Sequence, residues 1–248
     1  MKRGGQPNLE ISHARQLLEF GAEDIWGWNT PAGRERVKSR VSWLIEVCGL
    51  GQGVRVLECG CGTGIFTREL AKTGADITAV DISADLLSEA RKHCAAEKVN
   101  FVQANLEDPK ELPDLFFDVL CGVSVLHHLL LPKSLVALKR KLRPGARFAF
   151  SEPNLLNPIN KHIIFTPDLE KRRRRGVSPA EMAFYPNELQ EIFVEAGFEV
   201  HKLELRDFMH PSIPEILINP FKVVQFIAEH TPLLRRWSGS LWISGIMP

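Results

Sequence analysis

A glycine-rich turn between two acidic residues is the part of this sequence best suited to binding a ligand. A short apolar run ends in Glu58, glycine takes every second position of Gly60–Gly64, and a second apolar run ends in Asp81. In a turn between a strand and a helix, backbone N–H groups point at a bound polar group, and glycine removes the Cβ atoms that would block its approach. A carboxylate at the end of the next strand can accept hydrogen bonds from a ribose. The pattern therefore indicates a site for a cofactor that contains adenosine.

The spacing of the glycines separates two classes of such cofactors. Dinucleotide-binding proteins carry G-x-G-x-x-G, whereas this chain reads Gly60-Cys61-Gly62-Thr63-Gly64. The difference weighs against an NAD(P)-dependent oxidoreductase on a Rossmann sheet, which we keep as a second hypothesis. Asp81 also has a purely structural alternative, because a carboxylate there can cap the following helix.

The elements that must position this turn alternate regularly along the chain. Short apolar runs bounded by Gly, Pro and Asp predict strands, and apolar residues at a spacing of three or four predict helices. The predicted strands are 54–58, 76–80, 100–103, 117–123, 146–150, 198–205 and 240–246, and the predicted helices are 9–20, 33–48, 65–73, 84–95, 133–141, 187–196 and 221–228. Repeated βα units of this kind predict an α/β fold with a doubly wound, mainly parallel sheet and right-handed crossovers.

Two segments lie outside the regular alternation and are predicted to cover the sheet. Residues 1–50 form an N-terminal helical cap ahead of the first strand. Residues 152–184 contain four prolines and the cationic run Lys171–Arg175 without a clear period, which is typical of an inserted cap with short helices. We predict a single domain over residues 1–248 that includes both caps.

The composition is that of an ordinary globular protein and excludes several classes of function. The 31 Lys and Arg and the 30 Asp and Glu give a net charge of +1, which provides no general attraction to nucleic acid or to an anionic membrane. The five cysteines form no CxxC pair, so they predict reduced thiols and no metal site. Neither a signal peptide nor a transmembrane helix is expected from the apolar runs. We therefore expect a cytoplasmic protein.

Several segments together resemble the class I S-adenosylmethionine-dependent methyltransferases, in particular their type 11-like group. Residues 58–64 resemble the first motif of that family, E/D-x-G-x-G-x-G, and Val80-Asp81-Ile82-Ser83 resembles the second. Residues 101–107, 125–129 and 142–146 resemble the adenine-contacting segment, the segment after the fourth strand and the L-x-P-G-G turn. The resemblance runs from about residue 54 to 150. It implies a seven-stranded Rossmann-like methyltransferase fold with an antiparallel last strand, S-adenosyl-L-methionine as cofactor and S-adenosyl-L-homocysteine as product.

The resemblance also implies a role for each cofactor-binding residue. Glu58 would hold the loop and the methionine amino group, and Asp81 would accept both ribose hydroxyls. The loop residues Gly60, Cys61, Gly62, Thr63 and Gly64 would pass along the methionine and ribose. Ile82 would lie on the adenine, Asn105 would bond its amino group, Leu106 would offer a backbone N–H to the ring, and Val123 would offer a carbonyl to the cofactor's amino group. Asn105 alone equally suits a turn residue.

The methyl acceptor is expected above the carboxyl ends of the fourth and fifth strands. Methyl transfer from a sulfonium needs positioning and, for some acceptors, removal of a proton. His127 is the preferred general base because an imidazole titrates near neutrality; alternatively it starts a helix and bonds to backbone. Glu152 would position the acceptor hydroxyl or amine, or else hold the loop at Pro153. Ser124, His128 and Asn154 are the other polar residues expected in this pocket.

The partners implied by these residues are small molecules. The run Lys171–Arg175 is either a solvated face, a site that captures an anionic acceptor, or a weak contact with an anionic membrane surface. No nucleic acid is expected, because no basic stripe with interleaved aromatic residues accompanies the run. The leading hypothesis is methyl transfer to a small-molecule or carrier-linked metabolite, onto oxygen. The non-enzymatic alternative is an S-adenosylmethionine-binding module that acts as an interaction partner.

Overall fold

The computed structural model describes residues 7–175, 177–178, 181 and 183–248, apart from the side chains of Pro132 and Arg173. The strands in this part of the chain are β1 (Arg55–Cys59), β2 (Asp76–Asp81), β3 (Val99–Gln103), β4 (Phe117–Val123), β5 (Leu142–Pro153), β6 (Glu199–Arg206) and β7 (Ser240–Ile246). They form one sheet in the order β3-β2-β1-β4-β5-β7-β6. The strands from β3 to β5 are parallel, whereas β7 runs antiparallel to β5 and β6. The predicted α/β fold and its antiparallel last strand are confirmed.

The helices begin and end at residues whose chemistry explains the boundaries. They are α1 (Pro7–Glu19), α2 (Ala22–Ile25), α3 (Pro31–Cys48), α4 (Ile65–Ala71), α5 (Ala84–His93), α6 (Leu131–Lys139), α7 (Leu169–Arg174), α8 (Pro186–Glu195) and α9 (Ile218–His230). Thr30 caps α3 by accepting the Gly33 N–H at 2.9 Å, with proline in the first turn. Gly197 follows α8 with a φ of 83°, a left-handed conformation that glycine adopts without strain and that ends the helix.

Strand β5 is much longer than the predicted 146–150. The sheet pairing starts at Leu142, which lies opposite Phe117, and resumes at Arg147 opposite Val119, so the intervening residues form a bulge. Gly145 lies in this bulge with a φ of 79° and donates its N–H to the Met247 carbonyl at 2.7 Å. The predicted turn is therefore built into the strand, because an edge of β4 is available to pair with it.

The two faces of the sheet carry separate hydrophobic clusters, since successive side chains of a strand point in opposite directions. Leu57 and Cys59 of β1 pack in one cluster with side chains of α6 and α8, and Val56 packs in the other with side chains of α3, α4 and α5. All five cysteines are buried free thiols. Among the described residues, no helix is both long and apolar enough to cross a bilayer.

A buried ion pair fastens the N-terminal helices to the end of the sheet. Arg40 of α3 is only 2% exposed and donates to Asp207 Oδ2 at 2.6 Å, and also to the hydroxyls of Ser151 and Ser240. Arg36 donates to the same Asp207 oxygen at 3.0 Å. The two guanidinium groups hold the pKa of Asp207 below its usual range although burial opposes them. Of the two predicted caps, residues 1–6 and residues 176, 179, 180 and 182 lie outside the described residues.

Candidate active site

A cavity of about 350 Å³ lies where β1, β2 and β4 end, a volume typical of small-molecule sites. Most of the predicted site residues line it: Gly60, Cys61, Gly62, Thr63, Asp81, Ile82, Asn105, Leu106, Val123 and His127. The predicted site residues Glu58, Gly64 and Glu152 lie outside this lining and support it from behind. Parallel strands bring these distant segments together because their carboxyl ends meet at one edge of the sheet.

The three glycines of the turn after β1 all have a positive φ, and at two of them a side chain would also lie too close to its neighbours. Gly60 has a φ of 64°, and a Cβ there would lie 2.4 Å from the Cγ2 atom of Val125. Gly64 has a φ of 81°, and its Cβ would lie 3.1 Å from Ala90 of α5. The glycines therefore let the turn pack tightly between α5 and the segment after β4, and this packing leaves the backbone facing the cavity.

Asp81 joins the turn to the start of α5 and still faces the cavity. Its Oδ2 accepts the Gly62 N–H at 3.0 Å, and its Oδ1 accepts the Ser83 N–H at 2.9 Å. Ser83, not Asp81, caps the helix by accepting the Leu86 N–H at 3.3 Å. A carboxylate has about four acceptor positions, so two remain for a ligand. Burial raises the pKa of Asp81 despite these hydrogen bonds.

Glu58 is buried behind the turn with an unmet hydrogen-bonding requirement. It is 3% exposed, and within the described residues its Oε2 atom has no hydrogen-bond partner. Burial, with a smaller contribution from the nearby Asp81 carboxyl, raises the pKa of Glu58 to about 7, although the Thr67 hydroxyl opposes the shift. A buried carboxylate oxygen without a partner is costly, and a bound cation would remove that cost.

The wall beyond β3 contains the residues predicted to surround an adenine. Ile82 and Leu106 line the cavity, and the Ile82 carbonyl is fixed by an N–H from Gln103 at 3.1 Å. The Asn105 Oδ1 accepts the Glu107 N–H at 3.0 Å, so Asn105 does form the local turn considered as its alternative. Asn105 also lines the cavity. Its Oδ1 can accept a second hydrogen bond, from a ligand, because an amide oxygen has two lone pairs.

His127 and Glu152 form a buried pair beside the turn. Glu152 Oε1 accepts the N–H groups of Val125 and Leu126 at 2.9 and 2.8 Å, and its Oε2 lies 2.6 Å from His127 Nδ1. His127 is therefore bonded to a carboxylate, not to backbone as in the alternative interpretation. An ionised carboxylate only accepts hydrogen bonds, so in the neutral form of His127 this contact places the proton on Nδ1 and the lone pair on Nε2. Glu152 holds the residues 125–127 and does not contact the cavity as an acceptor-positioning group would.

A second histidine closes the same wall with residues from both predicted caps. His128 Nδ1 lies 2.7 Å from Glu10 Oε2 of α1, and Glu181 lies 3.9 Å away. Burial lowers the pKa of His128, but Glu181 and Glu10 outweigh it and raise the pKa to about 9. Glu181 Oε2 is also 3.8 Å from His127 Nε2. Glu10 and Glu181 carry no sequence motif, and only the tertiary fold brings them to the histidines.

This cluster is also the place where a metal ion could bind. Ligand atoms of His127, His128 and Glu181 lie within 4.8 Å of one another. However, the raised pKa of His128 keeps that imidazole protonated at neutral pH, and its Nδ1 already bonds to Glu10. The proton on His128 thus supplies the positive charge that the surrounding carboxylates require, so the geometry favours an acid–base cluster.

The other predicted acceptor-site residues are divided by the structure. Ser124 lines the cavity. Asn154 does not: it is fully buried, and its Nδ2 donates to the carbonyls of Ser238 and Arg236 at 2.8 and 3.1 Å. That amide is used to hold the C-terminal end of the chain against β5, which sequence position alone could not show.

The cationic run Lys171–Arg175 is divided between the surface, the interior and the cavity. Lys171 and Arg174 form exposed ion pairs with Asp168 and Glu170, and the buried Arg172 donates to the Glu181 carbonyl. Arg175 lines the cavity, and its Nη1 donates to the Ile163 carbonyl at 3.2 Å. The run is therefore not a uniformly solvated face.

Similarity to known proteins agrees with this geometry. Residues 57–150 match the family described as "Methyltransferase domain". A ubiquinone biosynthesis O-methyltransferase of Methylococcus capsulatus is 31% identical over 200 residues, covering 77% of this chain and 84% of that protein. The chain belongs to the S-adenosylmethionine-dependent methyltransferase family. The predicted family is confirmed, and the oxidoreductase hypothesis is set aside.

Two further comparisons mark the limits of the likeness. An uncharacterized Synechococcus protein is 39% identical over 127 residues, which is 48% of this chain but only 28% of that protein. A solved S-adenosylmethionine-dependent methyltransferase of Thermotoga maritima, described as a possible histamine N-methyltransferase, has a TM-score of 0.64 at 20% identity. It covers 94% of this chain and 99% of that chain, and it shows the same fold.

The cofactor of this methyltransferase family, S-adenosylmethionine, suits the residues present. The partnerless Oε2 of Glu58 matches a ligand that carries an ammonium group, and the two open acceptor positions of Asp81 match a ribose diol. When bound, the cofactor supplies a methyl group activated by a sulfonium. The residues that would hold it are Asp81 and the Gly60–Gly64 turn, with Glu58 behind the turn.

Proposed function

We propose that the protein transfers a methyl group from S-adenosylmethionine to the hydroxyl group of an acidic small molecule of the phenol type. The observation that carries the proposal is the His127–Glu152 pair, whose 2.6 Å contact leaves the His127 Nε2 lone pair at the wall of the cofactor cavity. The relatives named as O-methyltransferases support oxygen as the acceptor atom. The remaining cofactor-binding roles stay as assigned by the resemblance.

The strength of the base selects the kind of hydroxyl. A phenolic hydroxyl has a pKa of about 10 and an imidazolium has one of about 6.5, so an imidazole can remove a phenolic proton within a hydrogen bond to the acceptor. An aliphatic alcohol is a far weaker acid and would need a stronger base. His127 is held in the required tautomer by Glu152, and Glu181 at 3.8 Å stabilises the imidazolium that forms.

Arg175 is the residue of the cavity wall that favours an anionic acceptor. The His128 ring lies beside that of His127, with ring centroids 4.3 Å apart, but its positive charge is already balanced by Glu10 and Glu181. Arg175 lines the cavity, and a guanidinium suits a phenolate or a carboxylate on the acceptor.

The test is a turnover assay with a chemically matched acceptor panel. Formation of S-adenosylhomocysteine is measured with phenols and catechols, each with and without a carboxylate, and with aliphatic alcohols, amines and thiols. We expect turnover with the phenolic group, and a loss of about 10²–10⁴-fold in kcat for His127→Gln. His201→Gln, at an exposed position of β6, is the matched control and should retain full activity.

Two results would contradict the proposal in different ways. Turnover confined to amines or thiols would reject oxygen as the acceptor atom. Tight binding of S-adenosylhomocysteine, with no turnover on any acceptor, would favour the alternative of a cofactor-binding interaction module.

A further inference from the structure

Helix α9 and the turn after it expose an unusually large apolar surface. Ile216, Val223, Phe226 and Ile227 are 85, 61, 62 and 56% exposed, and Leu233 and Trp237 in the following segment are 75 and 56% exposed. Scattered exposed apolar residues are normal, but a contiguous apolar surface marks a site of interaction. We call residues 216–237 the apolar segment.

One face of α9 presents apolar side chains to the outside of the protein. Val223, Phe226 and Ile227 face outward. Two polar side chains, Gln225 and Glu229, face the protein instead, where they accept backbone N–H groups at 3.3 and 2.8 Å; the other polar side chains of the helix are exposed. An outward apolar face of this kind favours an environment other than water on that side.

The backbone of the apolar segment is firmly anchored, so its exposure does not come from a detached tail. Asn154 Nδ2 donates to the Arg236 carbonyl at 3.1 Å, and Asn157 Nδ2 donates to the Trp237 carbonyl at 2.5 Å. At the other end, Lys222 pairs with Glu35 of α3 at 2.6 Å. The outward side chains therefore form a fixed surface.

The charges on the apolar segment indicate which kind of partner binds this surface. Arg235 and Arg236 are exposed, and neither pairs with an acidic side chain in the described part of the chain. The only acid within residues 216–237 is Glu229, which faces inward. A surface that combines apolar side chains with arginines and a tryptophan at its margin matches the interface of a bilayer that contains anionic lipids.

The length of α9 determines how the bilayer is engaged. Its 13 residues correspond to about 20 Å of helix, short of the ~30 Å hydrocarbon core of a bilayer. We propose that the apolar segment lies in the plane of an anionic membrane surface, with Val223, Phe226, Ile227 and Trp237 inserted between the headgroups and Arg235 and Arg236 on the lipid phosphates.

This membrane surface would adjoin the active site. Ile218 and Phe221 of α9 pack against Ala32 of α3, and a Cβ on Gly27 would lie 2.6 Å from Pro211. Gly27 lies between Trp26 and Trp28, which line the cofactor cavity. A docked protein would thus hold its cavity close to the lipid surface, where an acceptor dissolved in the membrane is available.

Vesicle flotation of the full chain tests the proposal. We expect wild type to bind phosphatidylcholine vesicles that contain phosphatidylglycerol. The double variant Val223→Ser/Phe226→Ser should bind at least tenfold more weakly. Arg235→Gln/Arg236→Gln should lose about 25-fold on the anionic vesicles and should not change binding to pure phosphatidylcholine.

A matched control separates membrane docking from a general loss of apolar surface. Phe20→Ser/Val194→Ser removes the same residue types at positions that are 75 and 54% exposed outside the apolar segment, and it should bind vesicles like wild type. Every variant must also bind S-adenosylhomocysteine like wild type, which shows that the fold and cofactor site are intact. Trp237 fluorescence should shift to shorter wavelength on anionic vesicles, and Trp237→Phe should remove the shift.

Three outcomes would overturn the proposal. These are absence of vesicle binding by wild type, equal loss in the Phe20/Val194 control, and a dimer in solution that Val223→Ser/Phe226→Ser dissociates without any vesicle binding. The last result would assign the apolar segment to a second copy of the chain.

Discussion

The ionisation of Glu58 predicts that cofactor binding depends on pH. Burial raises the pKa of Glu58 to about 7 from its ordinary 4.5, so below pH 7 the carboxyl is mostly protonated in the absence of a ligand. The ammonium group of S-adenosylhomocysteine would pair with the ionised form. We therefore expect the Kd of this product to fall as the pH rises through the pKa of Glu58.

The expected size follows from the ionised fraction. With a pKa of about 7, roughly one-tenth of Glu58 is ionised at about pH 6 and roughly nine-tenths at about pH 8. The Kd should thus decrease about tenfold between these values, which is about 1.4 kcal/mol. Glu58→Gln has no charge to gain, so its Kd should be constant over this range and should exceed the wild-type value at the upper end.

The stability of the unliganded protein should change in the opposite direction. Because the folded-state pKa is raised, the stabilising contribution is complete below the unfolded value of 4.5 and is lost as the pH rises through about 7. The shift corresponds to a loss on the order of 3 kcal/mol in the free energy of unfolding. Urea unfolding of wild type and Glu58→Gln would show this loss in the first protein only.

Isothermal titration calorimetry with S-adenosylhomocysteine at several pH values tests whether the Kd depends on the ionisation of Glu58. His127→Gln is the control, because it removes another ionisable side chain of the cavity wall and should leave the pH dependence intact. A wild-type Kd that is constant within about twofold, or the same dependence in Glu58→Gln, would refute the reasoning.

Four further perturbations test other parts of the molecule. Asp81→Ala removes the acceptor of the Gly62 and Ser83 N–H groups and should raise the Kd of S-adenosylhomocysteine about 100-fold by titration calorimetry; a change below about threefold would contradict its role. Glu152→Gln should lower kcat by at least about 10²-fold without changing that Kd, and equal losses in both would show that Glu152 only supports the fold. Asp207→Ala leaves Arg40 buried without its partner and should cost about 3–5 kcal/mol in urea unfolding, whereas a loss below about 1 kcal/mol would mean that water reaches the guanidinium. Dialysis against a chelator should leave turnover unchanged because protonated His128 balances its carboxylate neighbours; a loss that a divalent cation restores would assign a metal to the His127–Glu181 cluster.

Local sequence patterns were sufficient for the elements that the cofactor site depends on. The predicted strands 117–123 and 240–246 agree with β4 and β7 at both ends. The bounds of β5 were wrong, because its start at Leu142 depends on pairing with β4 and its end at Pro153 depends on pairing with β7. Pairing with a neighbour is a tertiary interaction, and a bulged Pro-Gly segment carries no local signal of it.

The acceptor side of the cavity could not be predicted in the same way. Glu10 and Glu181 reach the histidines from two caps that are distant in sequence, and no spacing rule links them. Glu152 was predicted to contact the acceptor, whereas in the structure it holds His127 and the backbone before it. The side chain of a buried glutamate is long enough to point either into the cavity or towards a neighbouring loop, and only the tertiary packing determines which of the two it does.

The sequence by itself determined which residues form the cofactor side of the cavity. The glycines at 60, 62 and 64 and the carboxylates at 58 and 81 are required by backbone conformation and by the shape of one cofactor, so they recur at fixed spacing and can be read locally. Only the tertiary structure determined which residues form the acceptor side of the cavity and which side chains of the apolar segment face outward. Glu181 meets His127, and Phe226 faces outward while Glu229 faces inward, because these relations depend on how the caps and α9 pack on the sheet and not on neighbouring residues.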